Sequence, residues 1–182
     1  NRVERDETYS LPAAARDRFM LEVAVGIPAT AELRQRLMFD PDFHDTDRLV
    51  AAIREPVLPF EALNAVAAAI QHHVHTSPAL MDYAQRLWQA TRDPVAAGVV
   101  LDNIDTERLL LSGASPRGMS LLIRAARVLA WLNGRDYLSP ADIRDVFLPA
   151  IGHRLFFSPV YEQRREQIAP LLVQQILERV AP

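Results

Sequence analysis

Apolar positions recur at three- and four-residue spacing along most of the chain, which predicts a mainly α protein. The clearest case runs from Pro116 to about Asn133. Met119, Leu122, Ile123, Ala126, Leu129 and Ala130 make a stripe there, and Leu121, Ala125, Val128 and Leu132 fill much of the remaining surface. A helix apolar on most sides is expected to be central and buried. Ser115-Pro116 starts it and Gly134 stops it. The serine caps free N–H groups, proline suits the first helical position, and glycine suits the position after the last turn. The same start recurs at Ser77-Pro78, ahead of Leu80, Met81, Ala84, Leu87 and Trp88, and at Ser139-Pro140, with Asp142 in the first turn. Ser158-Pro159 precedes a last predicted helix over about 161–180, with Ile168, Leu171, Leu172, Ile176 and Leu177. Upstream, Thr30–Phe39 predicts a short helix with Leu33, Leu37 and Met38 inward, and 47–54 adds two turns. Pro59 opens another, with Phe60, Leu63, Ala67 and Ile70 on one stripe.

One strand is predicted. Met20–Val25 reads Met-Leu-Glu-Val-Ala-Val and is ended by Gly26 and Pro28. Before it, residues 1–10 read as a polar loop, and Leu11-Pro12 opens a short helical stretch through Ala13, Ala14 and Ala15. Residues 93–112 read as a connection, because Pro94 and Gly98 break the periodicity. A lone strand needs partners. The chain also begins with Asn1 rather than Met and opens without a helix or strand signal. The expectation is therefore a cut through a longer protein, with a sheet in the missing part.

Composition removes several chemistries. There are no cysteines, so disulfides, thiolate catalysis and cysteine metal sites are excluded, and a cytoplasmic setting fits. All 20 basic residues are arginine. Without lysine there is neither a Schiff base nor a phosphate-loop lysine. The net charge of −3 argues against a nucleic-acid footprint. No apolar run approaches the roughly 20 residues of a membrane helix, and the polar opening is not a signal peptide.

Gly113-Ala-Ser-Pro-Arg-Gly-Met-Ser120 has the glycine spacing of a phosphate loop, but Met119 stands where lysine is required and Pro116 removes a backbone donor. Arg117 is the more informative residue. It lies in the first turn of the predicted helix, where the dipole disfavours a cation by roughly 0.3–1 kcal/mol. An anion would reverse that cost by meeting the guanidinium and the helix end together. The plain alternative is a solvated arginine, or one paired with a nearby acid.

Other constellations read as ordinary surface or core. His72, His73 and His75 lack adjacent acidic or cysteine ligands, so no metal site is expected. Asp40, Asp42, Asp45 and Asp47 are spaced by twos but lack the glycine and terminal glutamate of a calcium loop. His153 reads as a packing or helix-end residue, and Trp88 and Trp131 as core.

Gly113-Ala-Ser-Pro-Arg117-Gly, the helix after it, Gly134-Arg-Asp-Tyr-Leu-Ser-Pro-Ala-Asp-Ile143 and His153-Arg-Leu155 resemble the MoxR family of AAA+ ATPases. Thr8-Tyr9-Ser-Leu-Pro12 with Asp17-Arg18-Phe19, and Ala90-Thr91-Arg92, resemble that family's pattern too. The matches span nearly the whole chain in order. The resemblance implies a helical-bundle lid domain over 28–182. Residues 1–27 would be the C-terminal remnant of an α/β P-loop core, a short helix and one strand. Walker A and Walker B would precede Asn1. It implies that nucleotide binds between core and lid in rings, typically hexamers, and that the parent uses ATP and Mg2+ to remodel or mature other proteins. Partners carrying von Willebrand factor A domains are a family habit. Three positions carry over: Asn1 at sensor 1, near the attacking water; Arg18 as the arginine finger; and Arg117 at sensor 2. Asp17 is placed to orient Arg18. The chain departs from the pattern at Pro12-Ala-Ala-Ala-Arg16, where the family has Pro-Glu-Ala-Gln-Leu, and at Glu7, where a glycine is usual. These departures mark a divergent subgroup.

The expected function is thus the lid-containing part of a MoxR-like ATPase that neither holds nucleotide tightly nor hydrolyses ATP alone. The rival is a non-catalytic helical protein-interaction module. A DNA-binding reading is weaker, because a recognition helix should display polar and basic side chains.

Overall fold

The computed structural model describes residues 11–53 and 58–182. In chain order its helices are α1 (Ala13–Arg16), α2 (Ala31–Phe39), α3 (Thr46–Ala51), α4 (Leu63–His73), α5 (Pro78–Arg92), α6 (Pro116–Leu132), α7 (Pro140–Ile151), α8 (Pro159–Glu162) and α9 (Arg165–Arg179). Two short strands, β1 (Leu110–Ser112) and β2 (Phe156–Phe157), pair antiparallel. The chain forms two compact bodies. One comprises the residues up to Glu22 with Ala67–Pro182, the other Val23–Val66.

The larger body is built on α6 and α7. Leu122, Ala126 and Ala130 of α6 recur every four residues and are fully buried, as are Ile143, Phe147 and Ala150 of α7. Alanine at two of the three α6 positions lets the neighbouring helix approach closely. Ile168, Leu172 and Ile176 of α9 form a second four-residue row against α7 and α5, where Tyr83 and Leu87 are fully buried. Each such large apolar side chain contributes about 1.5–3 kcal/mol over an exposed one. The central position expected for α6 holds along this row, but its C-terminal end is open, with Trp131 43% and Leu132 66% exposed.

Three of the four Ser-Pro starts are side-chain caps. Ser77 Oγ accepts from Leu80 N (3.2 Å), Ser115 Oγ from Gly118 N (3.0 Å) and Ser139 Oγ from Asp142 N (3.4 Å). Ser158 makes no side-chain cap, and the helix expected over 161–180 is broken between α8 and α9.

The strand expected at Met20–Val25 does not form. The segment is irregular; Val23 and Val25 are exposed, and Glu22 N donates to Pro149 O (2.8 Å). Strand character is completed by a ladder, and no neighbouring strand pairs with these residues among those described. The strands that do form were missed. Leu110 pairs with Phe157 and Ser112 with Phe156, inside or beside stretches read as loop.

In the smaller body none of the described residues is buried. Thr30 caps α2 through Leu33 N (3.3 Å), and Asp45 caps α3 through Arg48 N (3.0 Å). Leu33, Leu37 and Met38, expected inward, are 42%, 44% and 60% exposed. A body this short cannot close a core around them.

Candidate functional site

Asp17 follows α1 directly and lies against the start of α6. Its carboxylate gathers three side chains. Ser115 Oγ donates to Oδ1 (2.8 Å) while capping the helix, and Arg154 Nε donates to the same oxygen (3.2 Å). Arg117 Nη1 stands 3.6 Å from Oδ2, an ion pair too long for a hydrogen bond. Asp17's side chain is 15% exposed and that of Arg117 59%. Arg117 is thus an acid-paired arginine in this structure, with more than half of its side chain open to solvent. Asp17 faces away from the role expected of it: its partners are Ser115, Arg154 and Arg117, not Arg18.

Arg154 is fully buried. Besides Asp17 Oδ1 it donates to the carbonyls of Asp17 (3.1 Å), Met20 (3.2 Å), Phe19 and Ala150. One guanidinium therefore ties the segment after α1 to the turn that ends α7. Burial pushes the Arg154 pKa down, with the charge of Asp17 and its hydrogen bond opposing and the charge of Arg117 adding to the decrease. His153 beside it is buried, with Nε2 3.0 Å from Phe19 O and 2.7 Å from Arg154 Nη1. Burial lowers its pKa; the Phe19 carbonyl opposes this and Arg154 reinforces it.

Gly113, in the loop before α6, and Gly118, in the first turn of α6, both have structural reasons. A Cβ on Gly113 would meet the backbone of Thr91 at 2.2 Å, and one on Gly118 would meet Arg154 Cδ at 2.5 Å. Around this loop, Ala114 N donates to Thr91 Oγ1 (3.2 Å) and Trp88 Nε1 to Ala114 O (2.8 Å). A three-residue strand, β1, does precede Gly113, but the two glycines are packed against Thr91 and Arg154, and Met119 stands where a phosphate loop requires lysine.

The stretch from Gly134 to Ile143 is a helix-to-helix joint. Gly134 adopts φ 73°, Ser139 and Asp142 form a capping box, and Arg135 grips the Asp142 carboxylate with both terminal nitrogens (2.6 and 2.5 Å). Burial pushes Asp142 up, but the hydrogen bonds from Arg135 and Ser139 outweigh it and hold the pKa below its ordinary value.

Arg18 is exposed, and its side chain has no hydrogen-bond or ion-pair partner among the described residues. Asn1 and the Thr8-Tyr9 stretch lie outside the described residues.

Residues 104–176 match the family model described as the AAA lid domain. The chain is 52% identical over 180 residues to Protein MoxR of Methylorubrum extorquens, covering 99% of this chain and 52% of that protein. It is 50% identical to Protein MoxR of Paracoccus denitrificans over 95% of this chain and 51% of that one. The chain resembles the MoxR family over nearly its whole length. Chaperone MoxR1 of Mycobacterium tuberculosis is 32% identical over all of this chain and 45% of its own length. A crystal structure of a proposed ATPase from Cytophaga hutchinsonii superposes with a TM-score of 0.69 at 27% identity, over 96% of this chain and 51% of the other. The chain spans about half the length of the relatives it matches.

Arg154 and Asp17 are the residues whose part at this site was not read from the MoxR-like motifs. Apart from Ala150 O and the adjacent His153 ring, the partners of Arg154 are the Asp17 carboxylate and the carbonyls of Asp17, Phe19 and Met20, 134 or more positions away, which no local pattern encodes. His72, His73 and His75 are exposed, and Asp40 and Asp45 serve as caps. No group of metal-ligating residues occurs among those described, and no helix there is long and apolar enough to cross a membrane.

Proposed function

We propose that this chain provides the lid of a MoxR-type ATPase, with 1–27 completing the ATPase core and 28–182 forming the lid domain. Arg117 is the phosphate contact from the lid. The observation that carries this is its placement: an exposed arginine side chain at the N-terminus of the 17-residue helix α6, whose inner face is buried, held by a single 3.6 Å ion pair. A polyanion arriving there meets the guanidinium and the positive end of the helix dipole together. Arg18 is the arginine finger, offered to a neighbouring subunit of a ring. Its exposure, beside a segment anchored by Arg154, supports that role. Asn1 takes the sensor 1 position by resemblance.

Phosphoryl transfer needs positioning and charge neutralisation more than covalent help, and a finger supplied in trans accelerates it by orders of magnitude. ATP and Mg2+ belong to the joined protein, since the lysine of a phosphate loop has to come from outside this chain. One relative is named a chaperone, which supports remodelling of client proteins as the output. Partners with von Willebrand factor A domains are consistent with the family.

The test joins the chain to an upstream ATPase core and measures hydrolysis for Arg18→Ala and Arg117→Ala. Both variants should lose activity, Arg18→Ala without losing nucleotide binding. Full activity and assembly in both would remove the assignment. The 182-residue chain alone should show no ATP hydrolysis.

A further inference from the structure

We propose that Asp17 is an internal competitor for the phosphate-binding guanidinium of Arg117, a built-in anion that nucleotide must displace. The proposal rests on the reading of Arg117 given above. Asp17 offers Arg117 what a phosphate oxygen offers: a negative oxygen at the start of α6. Its two carboxylate oxygens differ in their partners. Oδ1 is held by Ser115 Oγ at 2.8 Å and Arg154 Nε at 3.2 Å, while Oδ2 faces Arg117 at 3.6 Å.

Only one of the three partners is free to leave. Ser115 is committed to capping Gly118 N, and Arg154 is fully buried among four backbone carbonyls. Arg117 is 59% exposed and bound by one long contact. When it turns to a phosphate, Asp17 keeps its other two partners, and its own carbonyl stays on Arg154 Nη2 at 3.1 Å. The backbone that carries Arg18 is therefore anchored whether or not Arg117 is engaged. Asp17 is a positioning residue: it weakens nucleotide binding by holding Arg117 back, and it does so without loosening the finger segment.

The test is a double-mutant cycle in the protein joined to its ATPase core, read as the Kd of ATP and the kcat and KM of hydrolysis. Asp17→Asn keeps an oxygen for Ser115 and Arg154 and removes the charge facing Arg117. An exposed ion pair of this kind is worth at most about 1 kcal/mol, so Asp17→Asn should tighten ATP binding roughly two- to fivefold. The tightening should vanish in an Arg117→Ala background. Asp17→Glu gives the opposite sign: its longer side chain approaches Arg117 more closely and should weaken binding, again only while Arg117 is present. It also serves where Asp17→Asn fails to assemble. Unchanged or weakened binding in Asp17→Asn, or equal effects of either variant with and without Arg117, overturns the proposal. If Arg117→Ala itself leaves ATP affinity and hydrolysis untouched, the phosphate-contact reading has failed. If Arg117→Ala weakens binding and Asp17→Asn does not tighten it, only the competition has failed.

Discussion

Gly118 and Arg154 share one space: a Cβ on the glycine would lie 2.5 Å from Arg154 Cδ and 3.0 Å from its Nε. The helix reaches its full packing only because the arginine stem passes over a residue without a side chain. Gly118→Ala should therefore destabilise the chain, since overpacking usually costs about 1–3 kcal/mol. The gain of roughly 1 kcal/mol in helix propensity offsets part of this, leaving a net loss of up to about 2 kcal/mol. Urea unfolding measures it. A stabilising result would mean that Arg154 has another place to go.

Gly113→Ala should cost more than Gly118→Ala. The added Cβ would meet Thr91 O at 2.2 Å, Thr91 C at 2.5 Å and Arg92 N at 2.7 Å, all backbone atoms at the end of α5. Backbone cannot rotate aside as a side chain does, so the helix end must shift. Gly26→Ala is the control, because nothing lies within 4 Å of its added Cβ. It should stay within about 0.5 kcal/mol of the parent chain. Thermal unfolding of the three variants side by side gives the order.

What could be read in the sequence was local chemistry. Ser77, Ser115 and Ser139 announce helix starts because the capping oxygen and the N–H that donates to it lie three residues apart. Arg117 stood out because its helix position alone is electrostatically wrong. The acid that answers it could not be read, because Asp17 and Ser115 meet across 98 positions and Asp17 and Arg154 across 137. The two strand errors share one cause. Met20–Val25 has the composition of a strand but no ladder, whereas β1 and β2 have a ladder but only three and two residues, too few to show a period of two.

Ser139→Ala should lower stability by about 1 kcal/mol, the usual loss for a helix N-cap. Ser139 Oγ accepts from Asp142 N and donates to Asp142 Oδ2 at 2.6 Å, so its removal breaks one side of the capping box. Asp142 itself gives a pH signature. Its pKa is held below the ordinary 3.8 in the folded chain, so its stabilising contribution is present above that value and is lost as pH falls towards the lowered one. Acid titration of Ser139→Ala should show a smaller loss in that window, since one of the bonds that lowers the pKa is gone. An unchanged acid limb would assign the decrease to Arg135 and to the Ser139 backbone N–H, which the variant keeps.

His153 predicts a second, separate pH dependence. Burial holds its folded pKa below the ordinary 6.5; Arg154 and Arg165 add to the decrease, while the Phe19 carbonyl and Glu22 oppose it. Above about 6.5 the ring is neutral in both folded and unfolded chains, and it contributes no pH dependence. As pH drops below that value, the unfolded chain takes up a proton that the folded chain does not. Stability therefore falls, with a slope of at most about 1.4 kcal/mol per pH unit, until the lowered folded value is reached and the slope levels off. His153→Gln removes the titrating ring and keeps a side chain able to meet Phe19 O. The variant should be less stable at neutral pH, yet its stability should change less between pH 7 and 5 than that of the parent chain. Urea midpoints across that range measure both curves. Parallel curves would mean that the ring titrates alike in the folded and unfolded states, contrary to its burial between Arg154 and the Phe19 carbonyl.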